Sequence, residues 1–194
     1  SFAVQNLESN YLAQLRGLDA LAALIPIKKL DAQAGGALAE RFLDFSPLFE
    51  SAHLYRANGQ VVVARRRDWP GPYQVKKNFN DKDERFVRIA KELLAGKVPR
   101  ALDTFESANR DLYQVYAVPV LGMDGRTAVG VLSGAVFPSR QNVNRLVEGL
   151  SLSDENFFLL TDSDGRIVAQ AGYAAAIESK PLWAEMAQAA KAGF

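Results

Sequence analysis

Three consecutive arginines, Arg65, Arg66 and Arg67, close one apolar run, and Trp69 and Tyr73 follow in the proline-rich stretch RRRDWPGPY. These residue types suit one kind of chemistry. An arginine fork matches a carboxylate in bidentate fashion. Trp and Tyr supply an apolar wall and can hold a cationic group against the ring face. Arg67, Trp69 and Tyr73 are therefore candidate contacts for a small charged molecule. The plainer reading is a solvated arginine run and a tryptophan that covers the core. Tyr113 and Tyr116 lie on one apolar stretch and fall on opposite faces by two-residue alternation. Tyr116, which shares its face with Gln114 and Val118, is the one assigned to the pocket. Asp103 and Asp111 read as turn or cap residues.

Catalytic patterns are missing. The single histidine, His53, stands at a strand start and reads as structural. Without a second His or any Cys there is no usual zinc set, so neither a metal nor any other cofactor is expected. No nucleophile elbow and no phosphate-binding glycine loop occurs. The stretch LDAQAGGALAE has paired glycines but lacks the Lys-Ser/Thr of a P-loop. Asp162 and Asp164 sit in a turn, where Asp favours the geometry without any chemistry.

Composition bounds the rest. The chain has 194 residues, a net charge of +1 and 48% hydrophobic residues, an ordinary globular balance. That charge gives no electrostatic reason to expect nucleic acid. Absence of cysteine rules out a disulfide framework and is compatible with an oxidising compartment. No apolar run approaches the roughly 20 residues of a membrane helix. No signal peptide is visible. A start within a helical pattern and an end straight after another read as a fragment of a longer protein.

Apolar spacing of three or four predicts a first helix over residues 1–25, through Val4, Leu7, Tyr11, Leu15, Leu18, Ala22 and Ile25, ended or kinked by Pro26. A second helix is expected over 30–45 with Ala34, Leu38 and Phe42 on its apolar face, weakened by Gly35-Gly36. Strands at 52–56 and 60–66 flank Asn58-Gly59, which suggests a two-residue type I′ turn. Residues 67–80 read as a loop. Asp81 and Glu84 have capping-box spacing. The helix they open carries Phe86, Ile89, Ala90, Leu93 and Leu94 and stops at Gly96. A short strand at 102–107 precedes long strands at 112–120 and 127–137 around Asp124-Gly125. A helix at 142–150, a second copy of the first hairpin at 156–170 and a helix at 180–192 complete the order. LYRANGQVVVARR and LTDSDGRIVAQAG are the two copies. This pattern predicts an α+β chain with an antiparallel sheet.

The opening helices, HLYRANGQVVVARR, NFNDKDERFVRIAKELLAGK, YQVYAVPVLGMDGRTAVGVLSGAVF and NFFLLTDSDGRIVAQAG follow one another in the order of a double Cache domain, the PAS-like sensor of bacterial receptors. The chain resembles that family over nearly its whole length. The resemblance implies a five-stranded antiparallel sheet with a long N-terminal helix and flanking helices. Residues 1–148 would form the membrane-distal module and residues 149–194 the start of a second, smaller one. It implies a periplasmic domain of an inner-membrane chemoreceptor, histidine kinase or diguanylate cyclase, tethered to the membrane in its parent. Such a domain binds a small molecule such as an amino acid, organic acid or amine and is not itself an enzyme. It can form a homodimer through the N-terminal helix. The amino-acid-binding branch has an Arg-x-Trp-Tyr run, matched by Arg67 and Trp69 but not by Pro70. Its acidic position falls near Glu106, a carboxylate of different length, and its upstream Tyr near Val62. The competing expectation is a structural or dimerising module with no ligand of its own.

Overall fold

The computed structural model describes residues 12–13, 15–67, 84–106, 112–136, 157–161 and 167–172. The chain divides into two compact units. One comprises residues 10–105 and 114–136, and the other residues 1–9, 106–113 and 137–194.

In the first unit, residues 15–22 form helix α1 and bury Leu15, Leu18, Leu21 and Ala22. The predicted helix does not run on to Pro26. Ala23 and Leu24 close its last turn with short-range bonds, and Leu24 is extended (ψ 142°). Pro26 instead lies in the first turn of a new helix, α2 (Ile25–Lys28). Its missing N–H is harmless there and its fixed φ suits a helix start. The N–H groups of Leu30 and Asp31 bond back to Ile27 and Pro26, and Leu30 takes the left-handed conformation (φ 54°) that this closure requires.

Asp31 then caps α3 (Ala32–Phe45), accepting from the N–H of Gln33 and of Ala34 at 2.9 Å each. The buried face of α3 is Gly35, Gly36, Ala39 and Leu43, one residue round from the face expected through Ala34, Leu38 and Phe42. The glycines are the reason. A Cβ on Gly35 would meet Ile27 and Val63, and one on Gly36 would run into the Arg65 guanidinium. The pair lets the helix backbone lie close to the sheet.

Strands β1 (Ser51–Arg56), β2 (Val61–Arg66), β3 (Ala101–Glu106), β4 (Leu112–Leu121) and β5 (Ala128–Val136) form one sheet in the order β2-β1-β5-β4-β3. The β1–β2, β1–β5 and β4–β5 pairs are antiparallel. The first hairpin departs from the type I′ expectation. Gly59 has φ 91°, whereas Asn58 is not left-handed. Gly59 N–H bonds to Arg56 O and Arg56 N–H to Gln60 O, which makes a three-residue loop with a bulge. The Asn58 side chain accepts from Gln60 N–H, stabilising the turn in this alternative way.

Register sorts the side chains onto two faces. Ala52, Leu54, Val63, Leu132, Tyr116 and Val118 share one. There Phe49, fully buried, fills the space that a side chain at Gly134 would occupy. Ser51, His53, Tyr55, Ala64, Ser133 and Ala117 share the other. Helix α4 (Glu84–Leu94) covers part of this second face, burying Phe86, Ala90 and Leu93. Phe86 packs between Tyr55 and Phe105, with ring centroids 5.9 and 6.5 Å apart. Gly96 (φ 67°) ends α4 as expected, with the N–H groups of Gly96 and Lys97 bonded to Leu93 and Glu92.

In the second unit, β6 (Phe157–Thr161) and β7 (Ile167–Gly172) pair antiparallel in a two-stranded sheet, as the repeated hairpin predicts. The helices expected at 142–150 and 180–192, and Asp81 of the capping box, lie outside the described residues.

Candidate functional site

Arg67 continues β2 just beyond its end. Its N–H bonds to Glu50 O at 2.9 Å. Its guanidinium turns back to the C-terminus of α3. Nη2 donates to Ser46 O at 2.7 Å and to Phe49 O at 2.8 Å, and Nε donates to Phe49 O at 3.2 Å. A cation suits this place, because the last carbonyls of a helix lack partners and carry partial negative charge. Arg65 lies under Gly36, its Nε 2.6 Å from Glu40 Oε1. Arg66 alternates onto the other face, in register with Ser51. The arginine run is thus three side chains with different surroundings.

Tyr116 is buried on the face that α1 covers. Its hydroxyl donates to the Asp19 carboxylate, at 3.1 Å to Oδ2 and 3.3 Å to Oδ1. Arg100 stands 3.4 Å from the same carboxylate. Burial, and then the negative charge of Asp19, push the Tyr116 hydroxyl above its ordinary value of 10.0. The neutral hydroxyl is the stable form, as its donor role requires. Asp19 and Arg100 were not singled out by motif. The available signal was an acidic residue inside the apolar stripe of α1, between Leu18 and Ala22.

Glu106 is the last residue of β3 and is exposed. Trp69 and Tyr73 lie outside the described residues, as does Asp111. Asp103 accepts from the N–H of Thr104 and lies 4.0 Å from Arg85, whose guanidinium stacks over Phe105. Among the described residues, no cluster of three or more His, Asp or Glu could hold a metal ion, and no helix is long and apolar enough to cross a membrane.

His53 and Tyr55 lie on the α4 face with ring centroids 6.2 Å apart. In its row across the sheet His53 has Ala64 on one side and Ser133 and Ala117 on the other. Ser51 and Ser133 are buried polar residues of the same face. A half-buried imidazole among short side chains, bordered by aromatic rings, can receive a small polar group.

No protein-family model matches the sequence, and no curated protein matches it. Solved structures do. The ligand-binding domain of the Campylobacter jejuni chemoreceptor Tlp3, in complex with L-norvaline, superposes with a TM-score of 0.59 at 18% identity, over 87% of this chain and 63% of that one. The ligand-binding domain of the Pseudomonas fluorescens chemoreceptor CtaA with L-isoleucine gives 0.57 at 18% identity, over 87% and 63%. The same CtaA domain with L-serine gives 0.58 at 18% identity, over 87% and 67%. The chain has the Cache fold. It spans about 63% of the length of the first of these domains. The Cache fold accounts for the strand order and for the helical layer on the first face.

Proposed function

We propose that this chain is the ligand-binding part of a sensor domain in a membrane-bound bacterial receptor, and that it takes a small molecule such as an amino acid, an organic acid or an amine. The observation that carries this reading is the Cache fold shared with chemoreceptor domains crystallised with L-norvaline, L-isoleucine and L-serine. Residues 1–148 are the membrane-distal sensor module and residues 149–194 the start of a membrane-proximal one. The parent is an inner-membrane chemoreceptor, histidine kinase or diguanylate cyclase with this domain in the periplasm, and any catalytic output belongs to another part of it. Trp69, Tyr73 and Glu106 are proposed ligand contacts. Arg67 acts indirectly, by fixing the chain just before Trp69 and Tyr73. Tyr116 links the sheet to α1, the helix through which movement would leave the domain and through which a homodimer would form. A ligand shifts that equilibrium only by its differential affinity for the two states.

The test is a thermal-shift screen of amino acids, organic acids and amines, followed by calorimetric titration. A ligand present at about 100 times its Kd stabilises by about 2.7 kcal/mol, a shift of several degrees. No stabilisation by any compound removes the reading.

A second reading has support of its own. Two of the expected ligand residues, Arg67 and Tyr116, have internal partners. A module that only dimerises and positions its neighbour would use them in this way. It would show concentration-dependent self-association and no ligand response.

A further inference from the structure

We propose that β3 couples α4 to α1 around the edge of the sheet, so that a displacement of α4 on one face moves α1 on the other. The direction of the signal, from α4 to α1, rests on the sensor reading above. The coupling itself needs no ligand.

Strand β3 meets both helices. It is the last strand of its sheet, bonded to β4 and to no other strand among the described residues. Successive side chains of a strand point to opposite faces. Asp103 and Phe105, two residues apart, both meet α4. Asp103 Oδ1 lies 4.0 Å from Arg85 Nη1, and the Arg85 guanidinium stands 4.9 Å from the centre of the Phe105 ring. Phe86 packs against the same ring, its centroid 6.5 Å away. Arg85 and Phe86 belong to the first turn of α4. A shift of that turn is therefore felt at two positions of β3. Arg100 directly precedes the strand, three residues from Asp103, and meets the opposite face. Its guanidinium stands 3.4 Å from the Asp19 carboxylate of α1. Asp19 also accepts from the hydroxyl of Tyr116 on β4, the strand to which β3 is bonded. One carboxylate of α1 thus has a partner at the start of β3 and another in the neighbouring strand.

The edge is the part of the sheet that can move. Strands β1 and β5 are each bonded on both sides, so shifting either one breaks two ladders. They also lie backbone to backbone at Gly130, where a Cβ would strike the Tyr55 carbonyl oxygen. Strand β3 has one ladder. Its ion pairs with the two helices are part-exposed, so they can part and re-form without leaving a buried charge behind. Exposed pairs are also weak, and a coupling built on them changes local equilibria by a factor of about two to five.

Amide hydrogen exchange of the full chain, without ligand, tests the coupling. Asp103→Asn keeps an oxygen to accept from the Thr104 N–H and removes the charge beside Arg85. It should speed exchange in residues 15–22 of α1 about two- to fivefold, although Asp103 lies on the other face, and leave β1 unchanged. Coupling is reciprocal, so Arg100→Gln should speed exchange in residues 84–94 of α4 by a similar factor. In a chain already carrying Arg100→Gln, Asp103→Asn should add nothing further in residues 15–22. Circular dichroism spectra matching the unmodified chain show that the variants are folded. The proposal is overturned if Asp103→Asn leaves residues 15–22 unchanged, if β1 speeds up by the same factor, or if the effect on α1 is undiminished in the Arg100→Gln chain. In each case the sensor reading survives. A ligand screen without a hit removes the sensor reading and leaves the coupling of α4 to α1 to be judged by exchange alone.

Discussion

Asp124 shows how far one exposed side chain can be perturbed without burial. Its carboxylate accepts from the Thr127 hydroxyl and from the N–H groups of Arg126 and Thr127. The hydroxyl bond, followed by the two backbone bonds, lowers its pKa from 3.8 to about 2. Because the folded value lies below the unfolded one, its contribution is complete above about pH 4 and fades as pH falls toward 2. Asp124→Asn should therefore lower the melting temperature at pH 7, with the difference shrinking as pH falls through about 2, as scanning calorimetry across that range would register. Glycines give a second contrast. A Cβ at Gly130 would strike the Tyr55 carbonyl oxygen, whereas one at Gly36 would strike only the far end of Arg65. A backbone obstacle cannot swing aside. Gly130→Ala should cost about 2–3 kcal/mol in urea melts, as overpacking does, and Gly36→Ala under about 1 kcal/mol.

At the scale of elements, two polar ties hold helices to strands. Arg67, just beyond the end of β2, joins that strand to the segment that follows α3. Arg67→Ala leaves part-buried carbonyls without a donor and should destabilise by about 2 kcal/mol, measured as a lower urea midpoint with unchanged slope. Tyr116 joins β4 to α1 through Asp19. Tyr116→Phe should cost about 1 kcal/mol and speed amide exchange in residues 15–22 more than in β1 or β5. Since the Tyr116 pKa is raised, its contribution is full below pH 10 and declines as pH climbs above that value. The variant should lose this alkaline limb of the stability curve. Both ties were illegible as ties in the sequence. They link residues far apart in the chain, Asp19 with Tyr116 and Ser46 with Arg67, and local spacing carries no information about such pairs. The helical faces were half legible. The stripe through Leu15, Leu18 and Ala22 is buried as its period predicts. For α3 the period was right and the face one residue off, because glycine gives no apolar signal although it makes the closest contact.

For the whole molecule, the sheet closes without help from the last hairpin: β6 and β7 pair with each other and with no other strand among the described residues. A chain of residues 1–148 should therefore fold by itself and melt cooperatively within a few degrees of the full chain. Loss of its far-ultraviolet dichroism would show that residues 149–194 are needed for the first sheet. Cooperative melting of a single sheet domain of this size is the ordinary expectation.

Among the described residues, the sequence alone determined the order of the strands and of the helices α3 and α4, and the position of their turns. Alternation of period two, helical spacing, Asn-Gly, Asp-Gly and Gly96 are local signals that act over a few residues. It also yielded the family resemblance and, with it, the sheet that the structure contains. Tertiary structure decided what each polar residue is for. Arg65, Arg66 and Arg67 are indistinguishable as a run. Alternation in β2 sends the first to Glu40 and the second to the α4 face, and the end of the strand turns the third to the carbonyls of Ser46 and Phe49, just after α3. Tyr116 met α1 because the strand order brings β4 beneath that helix. A side chain's partner depends on which face of which strand it occupies, and that is set when distant strands pair.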